Sequence, residues 1–189
     1  MIINYKKLHP DAEAPKKATR GSFCWDIKTI EDGELISMKN MVWKWIMTSV
    51  IKATFKRSNK SNSPITNSDF TVSYEKEYPV NTLILRTGIA YELPENACMM
   101  VFSRSGHGFK YSTSLVNGTG IIDSDYRGEV RVGLINHGME SLHIDVGDRV
   151  AQCSFIDSNG TYAKEVIFIE VDGLGQTVRG EGGYGSTGK

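Results

Sequence analysis

The sequence predicts an all-β protein, and three observations carry that expectation. Short apolar stretches of strand length recur from residue 70 onward, at 70–74, 81–91, 97–103, 129–135, 141–146, 149–156 and 165–171. Turn-formers separate them: Pro79, Pro94, Gly138, Gly147 with Asp148, and the run 157–160. The chain, at 189 residues, is long enough for one domain with a sizeable core. Many short strands at this spacing fold as a sandwich, jelly roll or barrel.

In chain order, residues 2–8 form a first short strand, and Pro10 and Pro15 punctuate the polar loop after it. Gly21 and Ser22 make a turn ahead of the apolar segment holding Asp26. An acid in such a segment needs a partner or solvent. Residues 31–69 differ in character from the rest of the chain. Within them, 40–57 has helical length, with Asn40 as N-cap and Lys44, Thr48, Lys52 and Lys56 repeating every four residues as one polar stripe. That stripe is either the solvated face of a docked helix or a contact for a partner, nucleic acid or membrane surface. Residues 58–68 are polar, broken by Pro64, and read as a flexible loop.

Residues 117–136 read as a β-hairpin. Gly118 and Gly120 permit close backbone approach, 123–125 is an Asp-Ser-Asp turn, and Val130, Val132 and Leu134 alternate along a second strand. Asp123 thus sits at a strand end with the Tyr126 ring three residues on. Taken alone, the pair reads more readily as a turn acid and a surface ring.

The tail, 173–189, holds seven glycines in seventeen residues and cannot build core. Gly180-x-Gly182-x-x-Gly185 and Gly183-x-x-x-x-Gly188-Lys189 mimic nucleotide-binding fingerprints, but neither stands in the strand–loop–helix context those motifs require. What remains is phosphate-wrapping chemistry: loop N–H groups, Arg179, and the Ser186 and Thr187 hydroxyls, with Tyr184 able to stack on a base.

Composition narrows the classes. Lys and Arg total 22, as do Asp and Glu, so the global basic field that nucleic acid attracts is missing. Cys24, Cys98 and Cys153 form no CxxC pair, and His9, His107, His137 and His143 show no zinc spacing. The N-terminus has no apolar core of signal-peptide length, and no run approaches the ~18 apolar residues of a membrane span. The expectation is a reduced, soluble, cytoplasmic protein with no membrane and no nucleic-acid partner.

Four stretches then combine: Arg104-Ser105-Gly106, the segment around Asp123, residues 147–152 (GDRVAQ), and residues 179–188 (RGEGGYGSTG). With 18–28 (ATRGSFCWDIK), they closely resemble the five ordered motifs of the trimeric all-β dUTP pyrophosphatase (dUTPase) family, across 16–28 and about 80–189. The resemblance implies a jelly-roll or β-barrel homotrimer whose active sites draw on several subunits. In this partition 1–172 is the β domain, with an insertion at about 31–69 that makes the gap from Asp26 to Arg104 longer than the family usually has, and 173–189 is a flexible lid.

The implied activity is hydrolysis of dUTP to dUMP and pyrophosphate, which keeps uracil out of DNA and supplies dUMP for dTMP synthesis. Asp123 matches the acid that activates the water attacking the α-phosphate. Tyr126 matches the ring against the deoxyribose. Asn117, Gly120, Ile121, Ile122 and Arg131 match positions that read uracil, and Tyr184 the ring that caps it. Arg104, Ser105, Gly106, Gln152, Arg179, Ser186 and Thr187 match phosphate contacts. The implied cofactor is Mg²⁺, held by triphosphate and water with no direct protein ligand, and with Asp26 as an outer-shell acid. Cys24-Trp25 replaces the commoner Gly-Tyr of the first motif, and Phe102-Ser103 replaces the usual Pro-containing residues before Arg104.

Two alternatives stand beside this reading. The related dCTP deaminase family carries a catalytic Glu at the position matched by Gly133, and it lacks such a tail. A nucleotide-dependent regulatory protein would use the insertion to recruit an unknown protein partner, with dUTP switching it through the tail.

Overall fold

In the computed structural model residues 1–37, 39–40 and 81–183 are described, and they form eleven strands and one short helix. In chain order these are β1 (Ile2–Lys7), β2 (Trp25–Lys28), β3 (Gly33–Leu35), β4 (Thr82–Glu92), β5 (Ala97–Phe102), α1 (Ser105–Tyr111), β6 (Thr113–Leu115), β7 (Gly120–Ile122), β8 (Glu129–Asn136), β9 (Leu142–Ile144), β10 (Arg149–Asp157) and β11 (Ile167–Glu170). One sheet runs β11-β1-β4-β8-β6, a second β2-β10-β5-β7, and β3 pairs with β9 as a ribbon. Only β1 with β11 is parallel among these pairings.

Period-two alternation decides which side chains go inward. On β8 Val130, Val132 and Leu134 are buried, and on β5 Ala97, Met99 and Val101. The three β8 residues, Met99 and Val101 meet in a single core together with Ile3, Leu85, Trp25, Val150 and Phe155. Phe155 is fully buried and packs edge-to-face against Trp25 at 5.6 Å and Phe168 at 5.8 Å between ring centroids. The buried Asn136 amide donates to the carbonyls of Leu35 and Glu140, and its oxygen accepts from the Gly138 N–H. It thereby clasps the β3 segment to the end of β8.

The all-β expectation holds, and seven of the strand stretches read from sequence reappear as strands or within them, apart from 70–74, which lies outside the described residues. Several expectations are corrected. Residues 117–136 are not a hairpin: β7 pairs with β5, while β8 pairs with β4 and β6. The connection at 123–128 is too long to zip its flanks together, so the arms part into different sheets. The insertion does not begin at residue 31. β3 pairs with β9, Leu35 and Ser37 are fully buried, and the Glu31 carboxylate accepts the Arg86 N–H, so 31–37 belong to the β body. Asn40 is not an N-cap. Lys39 and Asn40 are already helical, and the Ser37 hydroxyl accepts the Asn40 N–H at 3.0 Å, the bond a capping serine makes. The rest of the expected 40–57 helix and the expected 58–68 loop lie outside the described residues. The sequence reading also missed β6 and α1, which are only three and seven residues long.

Phe155→Ala should cost about 3–5 kcal/mol of stability, because it leaves a cavity between Trp25 and Phe168. Urea unfolding of parent and variant measures it, and a loss under about 1 kcal/mol would show that this core collapses to fill the gap.

Candidate active site

Because β7 and β8 diverge, a cavity of about 400 Å³ opens between them. Asn117, Gly120, Ile121, Ile122, Tyr126 and Arg131 line it, together with Val101, Gly133, Arg179 and Gly183. Gly120 is tightly placed: a Cβ there would stand 3.3 Å from the Val101 Cβ and 3.4 Å from the Asn117 amide nitrogen. The wall at that point is backbone, and flat backbone presents N–H and C=O groups in fixed directions. Arg131 is held by Glu129, Nε to Oε2 3.6 Å.

Asp123 follows Ile122 at the cavity edge, and its side chain is half exposed. Its Oδ2 accepts a short hydrogen bond from Arg179 Nη1, which also donates to Asp125 Oδ1 at 3.1 Å. These bonds hold the Arg179 pKa above its ordinary value, Asp123 contributing most. The Arg179 guanidinium also lies 5.4 Å over the Tyr126 ring.

The first part of the glycine tail is laid along the 123–128 turn. Arg127 N–H donates to the Gly180 carbonyl at 2.8 Å, Thr177 Oγ1 to the Asp125 carbonyl at 2.6 Å, and Arg127 Nε to the Gly175 carbonyl at 2.8 Å. Arg127 Nη1 closes the turn itself by donating to the Ser124 carbonyl at 2.6 Å. Gly180 adopts φ +56°, which glycine takes without strain.

A second cavity, of about 330 Å³, gathers Asp26, Arg104, Ser105, Gly106 and Gln152 with Cys24 and Arg149. Sheet register brings them there: Gln152 of β10 faces Asp26 of β2 on one side and Phe102 of β5 on the other. Asp26 has two cationic partners, Arg104 Nε at 3.0 Å and Arg149 Nη1 at 3.2 Å. Gln152 Nε2 donates to the Ser103 carbonyl at 2.8 Å. Nearby, burial and then the Arg104 charge push the His107 imidazole below its usual range. The positive charge at this end therefore comes from Arg104 and Arg149. The two arginines, the Ser105 hydroxyl and the Gln152 amide suit an anion with several oxygens.

The residues singled out from sequence thus fall into two groups, with no residue lining both cavities. Tyr184, Ser186 and Thr187 lie outside the described residues. Four participants were missed: Asp125, Arg127, Glu129 and Arg149. Each stands within or beside a recognised motif, but its role depends on a partner distant in sequence. Arg149, three positions before Gln152, was the one that spacing could have offered.

Comparison with known proteins gives a consistent picture. The dUTPase family profile matches residues 67–188. The deoxyuridine 5'-triphosphate nucleotidohydrolase of Helicobacter hepaticus is 47% identical over 188 residues, covering 100% of this chain and 89% of its own. That of Desulfitobacterium hafniense is 43% identical over 124 residues, covering 64% of this chain and 79% of its own. Among solved structures, a mutant of the Staphylococcus bacteriophage 80alpha dUTPase with dUpNHpp aligns with a TM-score of 0.54 at 18% identity, over 99% of this chain and 98% of that one. A mutant of the dUTPase from phage phi11 of S. aureus, described for the coordination of a structural Mg(II) ion, aligns with a TM-score of 0.53 at 15% identity, over 82% and 90%. At these identities the structural likeness speaks to the fold.

Arg127→Ala removes the side chain that ties the turn to the tail. A hydrogen bond from a charged donor contributes about 1.5–3 kcal/mol, so tryptic cleavage after Arg179 should quicken by about tenfold or more. Timed digestion read by mass spectrometry tests this, and an unchanged cleavage rate would show that other contacts hold the tail.

Proposed function

The chain belongs to the dUTPase family, and from that premise we propose how its residues divide the work of hydrolysing dUTP to dUMP. The observation that carries the proposal is the position of Asp123. It stands at the edge of a cavity of nucleoside size and is already in contact with a tail arginine suited to phosphate.

Uracil and deoxyribose occupy the cavity between β7 and β8. The Gly120–Ile122 backbone reads the base edge, with Asn117 and Arg131 beside it. A fixed backbone edge can refuse both a cytosine amino group and a thymine methyl. The Tyr126 ring lies against the sugar, where a 2′-hydroxyl would collide with it. Asp123 accepts a proton from the water that attacks the α-phosphate, forming a P–O bond while pyrophosphate leaves. A carboxylate at hydrogen-bond distance from that water is what general-base catalysis requires. Gly133, which lines the same cavity, offers no carboxylate for deamination. The Glu129 carboxylate is engaged by Arg86 Nε and the Gly88 N–H.

Arg104, Ser105, Gly106 and Gln152 take the phosphates, and Arg149 adds a further cation. Arg179 exchanges its carboxylate partners for the terminal phosphate, and Ser186, Thr187 and Tyr184 complete the lid. An exposed ion pair contributes about 0–1 kcal/mol, so the resting Arg179 contacts yield readily to a triphosphate. Mg²⁺, when bound with the nucleotide, offsets phosphate charge and orients the chain of phosphates. Asp26 fits an outer-shell place, since both its oxygens are engaged by arginines and direct ligation would break those pairs.

The separation of the two cavities on one chain supports an oligomeric site, in which the nucleoside end from one subunit meets the phosphate end of another. A homotrimer is the assembly proposed. Ile84, Val116 and Ile121, all more than half exposed, surround the cavity with apolar surface that such an assembly would cover. The segment between Asn40 and residue 67, ahead of the family match, is proposed as peripheral to the chemistry, and the protein as cytoplasmic.

Asp123→Asn should lower turnover of dUTP by about 10³-fold or more while nucleotide affinity stays within a few-fold. Pyrophosphate release and calorimetric titration with a non-hydrolysable analogue measure the two, and full activity in the variant would remove Asp123 from its role. Replacing residues 41–66 by a short glycine–serine linker should keep dUTP hydrolysis measurable. Loss of assembly in sedimentation would instead make the segment structural.

A further inference from the structure

Tyr126 is placed by its neighbours as much as by its own backbone. Its hydroxyl donates to the Glu129 carbonyl at 3.0 Å, which folds the ring back over the turn. Gly128 lies directly beneath. A Cβ at Gly128 would stand 2.6 Å from the ring Cζ and 2.9 Å from Cε2, closer still to the hydroxyl oxygen, and these three are its nearest atoms. Gly128 does not have positive φ, so the backbone does not itself demand glycine there. The ring demands it.

The neighbouring Glu129 secures the other anchor. Its carboxylate accepts from the Gly88 N–H at 2.8 Å and from Arg86 Nε at 2.9 Å, fixing the backbone whose carbonyl holds the tyrosine. Gly88, at φ +68°, occupies the irregularity where β4 bulges opposite β8. On the far side, Gly183 allows the tail to approach the ring, since a Cβ there would be 3.2 Å from Cε2.

We propose that Gly128 is a positioning residue for sugar selection, its bare α-carbon letting the Tyr126 ring lie where it excludes a 2′-hydroxyl. The inference rests on the sugar-sorting role given to Tyr126 above. A side chain at Gly128 would have as its three nearest atoms only atoms from the far end of the Tyr126 side chain. Its first effect is therefore to swing the ring out of the cavity wall, and only secondarily to disturb folding.

The test compares kcat/KM for dUTP and for UTP in four proteins: the parent, Gly128→Ala, Tyr126→Ala, and the double variant. Gly128→Ala should reduce the dUTP-to-UTP ratio by about tenfold to a hundredfold, the scale of a displacement of about 1 Å at a reacting site. In the Tyr126→Ala background the same substitution should leave the ratio unchanged, because the ring through which it acts is gone. Equal losses on both nucleotides, or the same change in ratio with and without the ring, overturns the inference while leaving Tyr126 its role. An unaltered ratio in Tyr126→Ala overturns both. If Gly128→Ala alone is too unstable to assay, its melting temperature should recover in the double variant; persistent instability there overturns the inference.

Discussion

The cavity between β7 and β8 depends on one connection. Residues 123–128 must carry the chain from β7, hydrogen-bonded in one sheet, to β8, hydrogen-bonded in the other. A two-residue turn would have paired the arms and closed the space between them. Six residues let the arms separate, and the space becomes the cavity. A loop of that length has backbone groups that no ladder satisfies, and buried or half-buried carbonyls need donors. Arg127 supplies several, to Ser124, Tyr126 and Gly175. The same turn therefore presents the Asp123 carboxylate, folds the Tyr126 ring and receives the tail.

Charge at the two ends is handled alike, with different stiffness. Beside the cavity between β7 and β8 Arg179 faces Asp123 and Asp125, both about half exposed. Such pairs contribute little net stability and are exchangeable. At the second cavity Asp26 has only 14% of its side chain exposed and lies between Arg104 and Arg149. Removing a partner from a carboxylate this enclosed is far more costly, which keeps both guanidiniums aimed into the cavity. One cluster is thus held in place, and the other is exchangeable.

Much was legible from residue order alone. Alternation at Val130, Val132 and Leu134 predicts the buried face of β8, because pleating sends successive side chains to opposite sides whatever the neighbouring strand is. The poverty of core-forming residues after Gly173, the Asp123–Tyr126 spacing and the ordered motifs are likewise properties of short stretches. The family, the all-β class and many of the residues around the two cavities followed from them, though not Glu129 or Arg149. The short elements β3, β6 and α1 escaped, since three to seven residues carry too little periodicity to read. So did the true edge of the β body near Ser37, which is set by bonds to Ser141.

By itself, then, the sequence determined which side chains face inward and which short motifs exist, because those depend on backbone geometry within a few residues. Only the tertiary structure decided that β7 and β8 part company, that Asp26 meets Arg104 and Arg149, and that Arg179 reaches Asp123. Alternation is the same for any pairing partner, and these ion pairs join residues 56 to 123 positions apart. Nothing local distinguishes one distant partner from another until the sheets have packed and the core has set the register.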